Sequence, residues 1–419
     1  MTKKDILIIG GGGREHAIAW KLKQGESVGK LYCIPGNAGI AEIAECRPDI
    51  RATDFDGILN FLREHRNIYM TVVAPDDPLA LGLVNVLTEN GFRAFGPTKE
   101  AAILESSKVF SKNFMKKYGI PTAEFETFSA PADALNYIKA VKFPRVVKAD
   151  GLALGKGVLI CETLSDAEGA VRGIMADRRF GKAGDNIVIE EFLRGYEVSI
   201  LAFCDGATVV PMVSSQDHKR ALDGDKGDNT GGMGAFAPSV KFDKTLLPRI
   251  MRDIIAPTVR GMDKEGRPFK GVLYFGLMID GDDVKVLEYN ARFGDPETQS
   301  VLPLLRGDLL DIFDKIIDGK LADAKIEWED KTCLCVMLAS GGYPKDYETG
   351  KPIAVGGPDN DILLFHSGTR RGVDGALLTA GGRVLGVTAV ADNLNAARAK
   401  AYANVGRISF DKMHYRKDI

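Results

Sequence analysis

A glycine-rich, positively charged segment between two short apolar runs constrains the fold more than any other part of this sequence. The apolar runs cover 143–147 and 158–161, and the pattern predicts a strand, a tight turn and a second strand. The glycines let the backbone approach a ligand and expose its N–H groups, and the lysines add cationic donors. These residues are Lys148, Gly151, Gly155, Lys156 and Gly157. The segment therefore suits a polyphosphate.

Two other interpretations of this segment have to be weighed. A Walker-type phosphate loop does not fit, because the segment lacks the Gly-x-x-x-x-Gly-Lys-Ser/Thr pattern and is followed by a predicted strand instead of a helix. An ordinary hairpin with surface lysines stays open as long as the segment is taken alone. If the hairpin binds a nucleotide, we expect it to be mobile without the ligand and ordered with it.

Residues 1–100 alternate between strand-like and helix-like patterns, which predicts a doubly wound parallel sheet. Continuous apolar runs indicate strands that are buried on both faces. The predicted strands lie at 5–9, 30–34, 69–73 and 93–95, and the helices at 55–66 and 79–90. Ligands of such sheets bind beyond the carboxyl ends of the strands, so the loops at that edge are the candidates for a binding site.

The loops at this edge carry groups suited to a sugar phosphate. The glycine N–H groups and Arg14 of the loop 10–16 fit a phosphate. The amide of Asn37 and the carboxylate of Asp76 fit hydroxyl groups or an amine. A simple capping role for Asp76 at the helix that follows is the alternative.

A Rossmann-type dinucleotide site is the alternative for the first glycine loop. A Gly-x-Gly-x-x-Gly pattern that starts at Gly10 or Gly11 would need a glycine where Glu15 or His16 stands. The second predicted strand also ends in the loop 35–39, which has no acidic residue for a ribose hydroxyl. We therefore predict a site for one phosphate.

The middle of the chain, 101–328, carries the candidate nucleotide residues. A single helical pattern covers 99–118, and a subdomain of about 121–192 contains the glycine hairpin. The last strand of that subdomain ends in two glutamates and an apolar pair, whose backbone could contact an adenine edge, and Glu197 could hold ribose hydroxyls. A strand that ends in a charged turn is the alternative.

Glu288 and Asn290 alternate with apolar neighbours, so both point to one face of a predicted strand. A carboxylate and an amide oxygen are hard ligands that suit a Mg²⁺ ion bridging nucleotide phosphates. The polar outer face of a half-buried strand is the alternative. The charge-dense loop 291–299 follows directly, which favours an active site.

The remaining segments predict a long functional loop and a closing domain. The polar stretch 214–234 is too long and too rich in glycine for a simple connector. Residues 329–419 lack phosphate-type motifs and predict a small α+β domain that packs over the site. The expected fold class is therefore multidomain, α/β and α+β, with an N-terminal doubly wound parallel sheet in 1–100.

Composition excludes several classes of partner. The formal net charge is −2, so nucleic acid is not a favoured partner. No apolar run is long enough to span a bilayer, and the N-terminus has no signal-peptide pattern. The six cysteines form no Cys-x-x-Cys pair, which is typical of a reducing compartment. We expect a cytoplasmic monomer with small-molecule partners.

Together these motifs resemble the glycinamide ribonucleotide synthetase family of ATP-grasp ligases over nearly the whole chain. The most specific segments are 12–16, 35–39, 148–158, 215–220, 229–234 and 292–299. The resemblance implies an ATP-grasp fold with a mobile lid. It also implies a ligase that joins 5-phosphoribosylamine and glycine in purine biosynthesis while ATP becomes ADP and phosphate. A carboxylate is a poor acceptor for an amine, so we expect a glycyl phosphate intermediate.

The resemblance also implies roles for individual residues. ATP would be held by Lys108, Lys148, Gly151, Gly155, Lys156, Gly157, Glu190, Glu191, Phe192, Leu193 and Glu197. Mg²⁺ or Mn²⁺ would be held by Glu288 and Asn290. Phosphoribosylamine would contact Gly12, Gly13, Arg14, Glu15, Asn37 and Asp76, and glycine and the amine would lie near Asp217, Thr230, Gly231 and Gly232. The catalytic residues would be Arg292, which faces the transferring phosphoryl group, Lys219 and Asp295.

Two departures from the family pattern raise specific questions. Many members have Pro-Glu where this chain has Pro75-Asp76, which shortens the carboxylate by one methylene. Most ATP-grasp enzymes also place a carboxylate on the strand before Glu288, whereas this strand has Gly-Leu-Met-Ile at 276–279. A further metal ligand would then come from elsewhere or be water. A nicotinamide-dependent oxidoreductase, a nucleotide-binding regulator and an ATP-grasp carboxylase are the competing functions.

Overall fold

The computed structural model describes residues 3–152 and 157–419. Gly155 and Lys156 of the glycine hairpin lie outside the described residues. Their contacts with a nucleotide, and the ordering of the hairpin by one, therefore stay predictions.

The chain begins with a five-stranded parallel sheet in the strand order 3-2-1-4-5. The order runs outward from β1 in both directions, which is the doubly wound topology predicted from the sequence. The strands are β1 (Lys4–Gly10), β2 (Val28–Pro35), β3 (Glu45–Cys46), β4 (Ile68–Val73) and β5 (Ala94–Phe95). The helices are α1 (Gly13–Leu22), α2 (Phe55–Glu64), α3 (Asp76–Leu81) and α4 (Leu83–Glu89).

Two helices that the sequence predicts as continuous are broken. The pattern at 79–90 is split between α3 and α4 at Gly82, whose φ of +98° ends the first helix. The pattern at 99–118 is split into α5 (Lys99–Ser106) and α6 (Lys108–Tyr118). Ser107 lies at the break, where its Oγ accepts a hydrogen bond from the Phe110 N–H and donates to Asp150. This break connects the helix pair to the base of the glycine hairpin.

The hairpin itself belongs to a four-stranded antiparallel sheet in the order β6-β9-β7-β8. Its elements are β6 (Phe125–Phe128), α7 (Pro131–Ile138), β7 (Arg145–Ala149), β8 (Val158–Cys161), α8 (Leu164–Val171) and β9 (Ile187–Glu191). The two helices pack on the sheet around a separate apolar core that contains Ile138, Val147, Val171 and Ile189. This unit corresponds to the predicted lid subdomain.

A second antiparallel sheet, in the order β11-β10-β16-β17, contains the strand with Glu288 and Asn290. Its strands are β10 (Tyr196–Asp205), β11 (Val209–Pro211), β16 (Lys270–Asp280) and β17 (Asp283–Asn290). Before β16 the chain forms β12 (Gln216–Asp217), β13 (Arg220–Leu222), β14 (Lys226–Asn229), β15 (Gly234–Ala237), α9 (Leu247–Ile250) and α10 (Ala256–Lys264). One apolar core joins this sheet to the first one.

The last sheet takes strands from two distant parts of the chain, in the order β12-β15-β20-β25-β22. The elements that follow β17 are α11 (Glu297–Val301), β18 (Leu305–Arg306), α12 (Leu309–Ile317), β19 (Glu327–Trp328), β20 (Thr332–Ala339), β21 (Ala354–Val355), β22 (Ile362–His366), β23 (Thr369–Arg371), β24 (Leu377–Thr379), β25 (Arg383–Ala391), α13 (Leu394–Val405) and β26 (Ile408–Ser409). Because β15 pairs with β20, the polar stretch 214–234 is anchored to the closing domain.

These sheets confirm the predicted fold class of a doubly wound parallel sheet followed by mixed α+β units. The division at 100 and 328 stays a prediction. No helix within the described ranges is long and apolar enough to cross a membrane. All six cysteines are free thiols.

Two buried histidines join the first sheet's layer to the last sheet. His16 lies on α1 and His366 ends β22. The His366 N–H donates to His16 Nδ1 at 2.9 Å, and the two ring centroids are 5.6 Å apart. Burial lowers the pKa of His16 to about 3 and the pKa of His366 to about 4. Both rings are therefore neutral in the folded protein at neutral pH.

We expect this histidine pair to make the folded state less stable as the pH falls from about 6.5 to the folded pKa of about 4 for His366 and about 3 for His16. The unfolded chain takes up protons in this window and the folded chain does not, so each histidine contributes up to about 1.4 kcal/mol per pH unit. Above pH 7 the pair has no such effect. His366→Asn should flatten the plot of thermal midpoint against pH. An unchanged slope in His366→Asn would contradict the assignment.

Candidate active site

Four cationic side chains converge on the carboxylate of Glu288 in β17. The nearest cation is Lys219, whose Nζ lies 3.5 Å from Glu288 Oε1. Burial opposes ionisation of this carboxyl, but Lys219, Lys148, Lys108 and Arg292 together lower the pKa of Glu288 below its usual value. The carboxylate is therefore charged at neutral pH. The same four cations can neutralise a polyphosphate bound beside it.

Glu190 lies between two lysines, one of which is the Lys148 that also acts on Glu288. Lys148 Nζ is 2.5 Å from Glu190 Oε1, and Lys112 Nζ is 2.6 Å from Glu190 Oε2. Lys148 also donates to the Leu287 carbonyl at 3.3 Å. The sequence analysis missed Lys112, although it lies one helical turn after Lys108 on α6. Burial lowers the pKa of Lys112 to about 8, so the lysine depends on Glu190 to keep its charge.

The other residues predicted to hold a nucleotide lie on α6 and next to the ends of β7, β8, β9 and β10. Lys108 Nζ donates to the Gly151 carbonyl at 2.8 Å, and the φ of +131° at Gly151 favours glycine. Glu191 ends β9, with its Oε2 3.6 Å from Lys285 Nζ. Leu193 is buried, and Glu197 is exposed at the start of β10. Phe192, between Glu191 and Leu193, is half-buried, and Gly157 directly precedes β8.

Glu288 and Asn290 share one face of β17, as the alternation predicts. Tyr289 between them is 2% exposed, and its hydroxyl lies 2.9 Å from Thr258 Oγ1 on the opposite face. In the facing strand, Gly276 pairs with Glu288, and a Cβ at Gly276 would lie 3.3 Å from Glu288 Cγ. The described residues contain no group of three or more His, Cys, Asp or Glu side chains placed to hold a metal. Two protein oxygens completed by phosphate and water fit Mg²⁺.

Arg292 follows β17 and links Asn290 of that strand to Glu105 of α5. Its Nη2 donates to Asn290 Oδ1 at 3.1 Å and lies 2.8 Å from Glu105 Oε1. Its Nη1 donates to the Phe293 carbonyl at 3.2 Å. The Nε atom is buried and has no hydrogen-bond partner among the described residues. The guanidinium is therefore held by three partners while its Nε–H stays unused within the described ranges.

The first glycine loop and Asp76 lie next to Arg292. Glu15 braces the loop, because its Oε2 accepts from the Gly12 N–H at 2.6 Å and its Oε1 accepts from Arg14 Nε at 2.6 Å. Burial opposes ionisation of Asp76, but Arg292 and Arg14 hold the pKa of its carboxyl below the usual value. The structure thus brings the predicted phosphoribosylamine residues beside the predicted phosphoryl-transfer residue.

Two predicted substrate residues in this region are engaged within the protein. Asn37 Oδ1 accepts from the N–H groups of Gly39 and Ile40, and its Nδ2 donates to the carbonyls of Gly11 and His366. Gly13 packs closely against the closing domain and α11, since a Cβ there would lie 2.5 Å from Gln299 Nε2. The contacts place Asn37 as a brace of the glycine loop, and its contact with a substrate stays a prediction.

Asp217, which is predicted to lie near the substrate glycine, has one carboxylate oxygen without a partner among the described residues. Its Oδ2 lies 3.6 Å from Lys219 Nζ, whereas its buried Oδ1 has no hydrogen-bond partner among the described residues. Burial and the neighbouring Glu297 raise the pKa of Asp217 well above its usual value. The sequence analysis missed Glu297 as a site residue, although it belongs to the specific segment 292–299. Its Oε1 accepts from Ser199 Oγ at 3.4 Å.

The closing domain holds the glycine loop that follows β14. Thr230 Oγ1 accepts from the Gly232 N–H at 2.9 Å, and the Gly231 N–H donates to the Tyr343 hydroxyl at 3.0 Å. Arg383 donates to the carbonyls of Gly231 and Asp295, both at 2.7 Å, and its Nη2 lies 3.2 Å from Asp295 Oδ2. The sequence contains no local signal for Tyr343 or Arg383, because their role depends on how the last sheet is built.

Comparisons with known proteins agree with this geometry. Residues 4–105, 106–298 and 333–419 match, in that order, the N domain, the ATP-grasp (A) domain and the C domain of phosphoribosylglycinamide synthetase. The three matches cover most of the chain and follow its own order, which confirms the predicted ATP-grasp fold.

Individual proteins show the same likeness. A phosphoribosylamine–glycine ligase of Ralstonia nicotianae is 48% identical over 416 residues, which are 99% of this chain and 98% of that protein. The crystal structure of the Thermotoga maritima phosphoribosylamine–glycine ligase is 34% identical, with a TM-score of 0.84 over 99% of this chain and 100% of that one. A Campylobacter jejuni biotin carboxylase shares the fold alone, at 14% identity and a TM-score of 0.77 over 98% and 93% of the two chains. The chain belongs to the phosphoribosylglycinamide synthetase family.

Proposed function

We propose that this protein is an ATP-dependent ligase of purine biosynthesis that joins 5-phosphoribosylamine and glycine and releases ADP and phosphate. The observation that carries the proposal is the convergence of four cations on Glu288, one of which, Arg292, also acts on Asp76 together with Arg14. This arrangement would bring a nucleotide site, a metal site and a sugar-phosphate site together. The names of the full-length relatives support the same activity. Action as a cytoplasmic monomer is part of the proposal.

The chemistry requires activation of glycine. In the first step, a carboxylate oxygen of glycine attacks the γ-phosphorus of ATP, and the bond from that phosphorus to the β-phosphate oxygen breaks. In the second step, the amine nitrogen of phosphoribosylamine attacks the carbonyl carbon of glycyl phosphate. The carbon–oxygen bond to phosphate then breaks, and the nitrogen loses a proton. The products are an amide, ADP and phosphate, so the atoms balance.

The residues of the candidate site would act mainly by positioning the reactants and by stabilising charge. Arg292, Lys148 and Lys219 would share the negative charge of the transferring phosphoryl group, which is how proteins accelerate this type of reaction. Mg²⁺ or Mn²⁺, held by Glu288 and Asn290, would neutralise phosphate charge when bound. Asp217 Oδ1, which is buried and has no hydrogen-bond partner among the described residues, would accept a hydrogen bond from an amine.

The assay that tests the proposal measures phosphate release as each substrate is omitted in turn. We expect release that needs ATP, glycine and phosphoribosylamine together. Release that proceeds when bicarbonate replaces glycine would favour an ATP-grasp carboxylase and would overturn the proposal.

Glu288→Gln should lower turnover by roughly 100-fold to 1,000-fold, since loss of transition-state charge stabilisation of this type costs about 3–4 kcal/mol. The matched control is Asp283→Asn, which removes an exposed carboxylate from the same strand and should keep the wild-type rate. The thermal midpoints of both variants should match the wild type. If Glu288→Gln keeps more than about a tenth of the wild-type rate, a loss of only about 1.4 kcal/mol, Glu288 does not hold the metal.

Oxygen labelling tests the order of the chemical steps. Glycine labelled with ¹⁸O at both carboxylate oxygens should give inorganic phosphate that carries one labelled oxygen and an amide that carries the other. The reason is that one carboxylate oxygen leaves on phosphate in the second step. Mass spectrometry of the released phosphate measures the label. Unlabelled phosphate would show that glycine is not the phosphorylated substrate.

A further inference from the structure

Glu105 is a buried acidic residue that the proposed reaction does not use. It lies near the end of α5 and is 9% exposed. Its Oε2 accepts from the Ala291 N–H at 2.8 Å, and its Oε1 lies 2.8 Å from Arg292 Nη2. A buried carboxylate is costly unless it is paired and hydrogen-bonded. Each of its oxygens contacts one of the two residues that follow β17, Ala291 and Arg292.

Arg292 has several competing carboxylates around it. Burial opposes its charge, but Glu105, Asp76, Glu297 and Glu288 together raise the pKa of the guanidinium above its ordinary value. Glu105 is the carboxylate in direct contact. A free arginine side chain would have to be ordered at the moment of reaction, which costs rotamer entropy. Glu105 removes this cost and prevents the guanidinium from pairing elsewhere.

We propose that Glu105 is a positioning residue that holds the Arg292 guanidinium against Asn290 and beside Asp76, within reach of the transferring phosphoryl group. The inference rests on the proposed ligase function. Glu105 does not touch a substrate and acts through Arg292. Without its charge, Arg292 can turn to Glu288 or Asp76, which withdraws it from the phosphoryl group and occupies a metal ligand.

A purely structural role for Glu105 can be separated from this positioning role. The structural contribution is the hydrogen bond that Glu105 accepts from the Ala291 N–H, which ties α5 to the end of β17. Glutamine keeps an oxygen for that bond and has nearly the same volume, so Glu105→Gln removes the charge and replaces the acceptor that faces Arg292 with an amide NH₂. The matched control is Glu100→Gln on the same helix, where the exposed Glu100 accepts from Asn85 Nδ2 at 2.9 Å.

The experiment compares full-length wild type, Glu105→Gln, Arg292→Ala and the double variant in the phosphate-release assay. We expect Glu105→Gln to lower kcat about tenfold or more, equivalent to about 1.4 kcal/mol, with KM for glycine and thermal midpoint close to wild type. Glu100→Gln should leave all three unchanged. In the Arg292→Ala background, Glu105→Gln should change kcat less than about twofold, because residues that act through one another are not additive.

A second readout does not depend on turnover. Mn²⁺ binding in the presence of ADP, followed by electron paramagnetic resonance, should be weakened by Glu105→Gln alone and unaffected by it in the Arg292→Ala background. Equal effects of Glu105→Gln in both backgrounds, or a rate loss that follows a loss of thermal midpoint, would overturn the positioning role. An inactive wild type would refute the proposed function instead, and the Mn²⁺ comparison would still decide the role of Glu105.

Discussion

Charged side chains that are buried on folding must be paired, and this requirement organises the candidate active site. An unpaired buried charge costs several kcal/mol, whereas a paired one is held in a defined position. Glu190 is paired with Lys112 and Lys148, and Arg292 is paired with Glu105. Similar pairs hold Arg14 to Glu15 and Arg383 to Asp295. Each pair therefore holds its charged side chains in position in the absence of a substrate.

The pairs also connect separate sheets. Lys148 extends from the hairpin sheet to the Leu287 carbonyl of the central sheet. Arg383 extends from the last sheet to the loop that contains Asp295. Since β12 and β15 are strands of the last sheet, the segment with Asp217 and Lys219 is positioned by the closing domain as well. A site for three substrates is thus assembled by contacts between layers that have their own cores.

Preorganisation of this type suits a reaction whose difficulty is the charge of a moving phosphoryl group. Fixed cations stabilise that charge without reorganising during the reaction. The unused polar atoms fit the same scheme, because Arg292 Nε and Asp217 Oδ1 are buried donors or acceptors without a partner in the described part of the chain. Buried polar atoms without partners are rare in folded proteins, and both of these lie in segments that carry the cations around Glu288.

The sequence by itself determined the local features of this protein. The alternation of polar and apolar residues correctly placed Glu288 and Asn290 on one face of a strand, and the β and α periodicities correctly predicted the first sheet. These inferences succeed because strand and helix repeats depend on neighbouring residues only. The motif segments also indicated the family, since their residues and spacing are specific to it.

Only the tertiary structure decided which charges meet. Glu105, Tyr343 and Arg383 gave no local signal, because their partners Arg292, Gly231 and Asp295 lie far away in the sequence and meet them only through the path of the chain. The same reason explains Asn37, whose amide is used by a carbonyl 329 residues away. The break at Ser107, which splits a continuous helical pattern, coincides with a bond to Asp150 in the hairpin, a contact that no helix-forming tendency can anticipate.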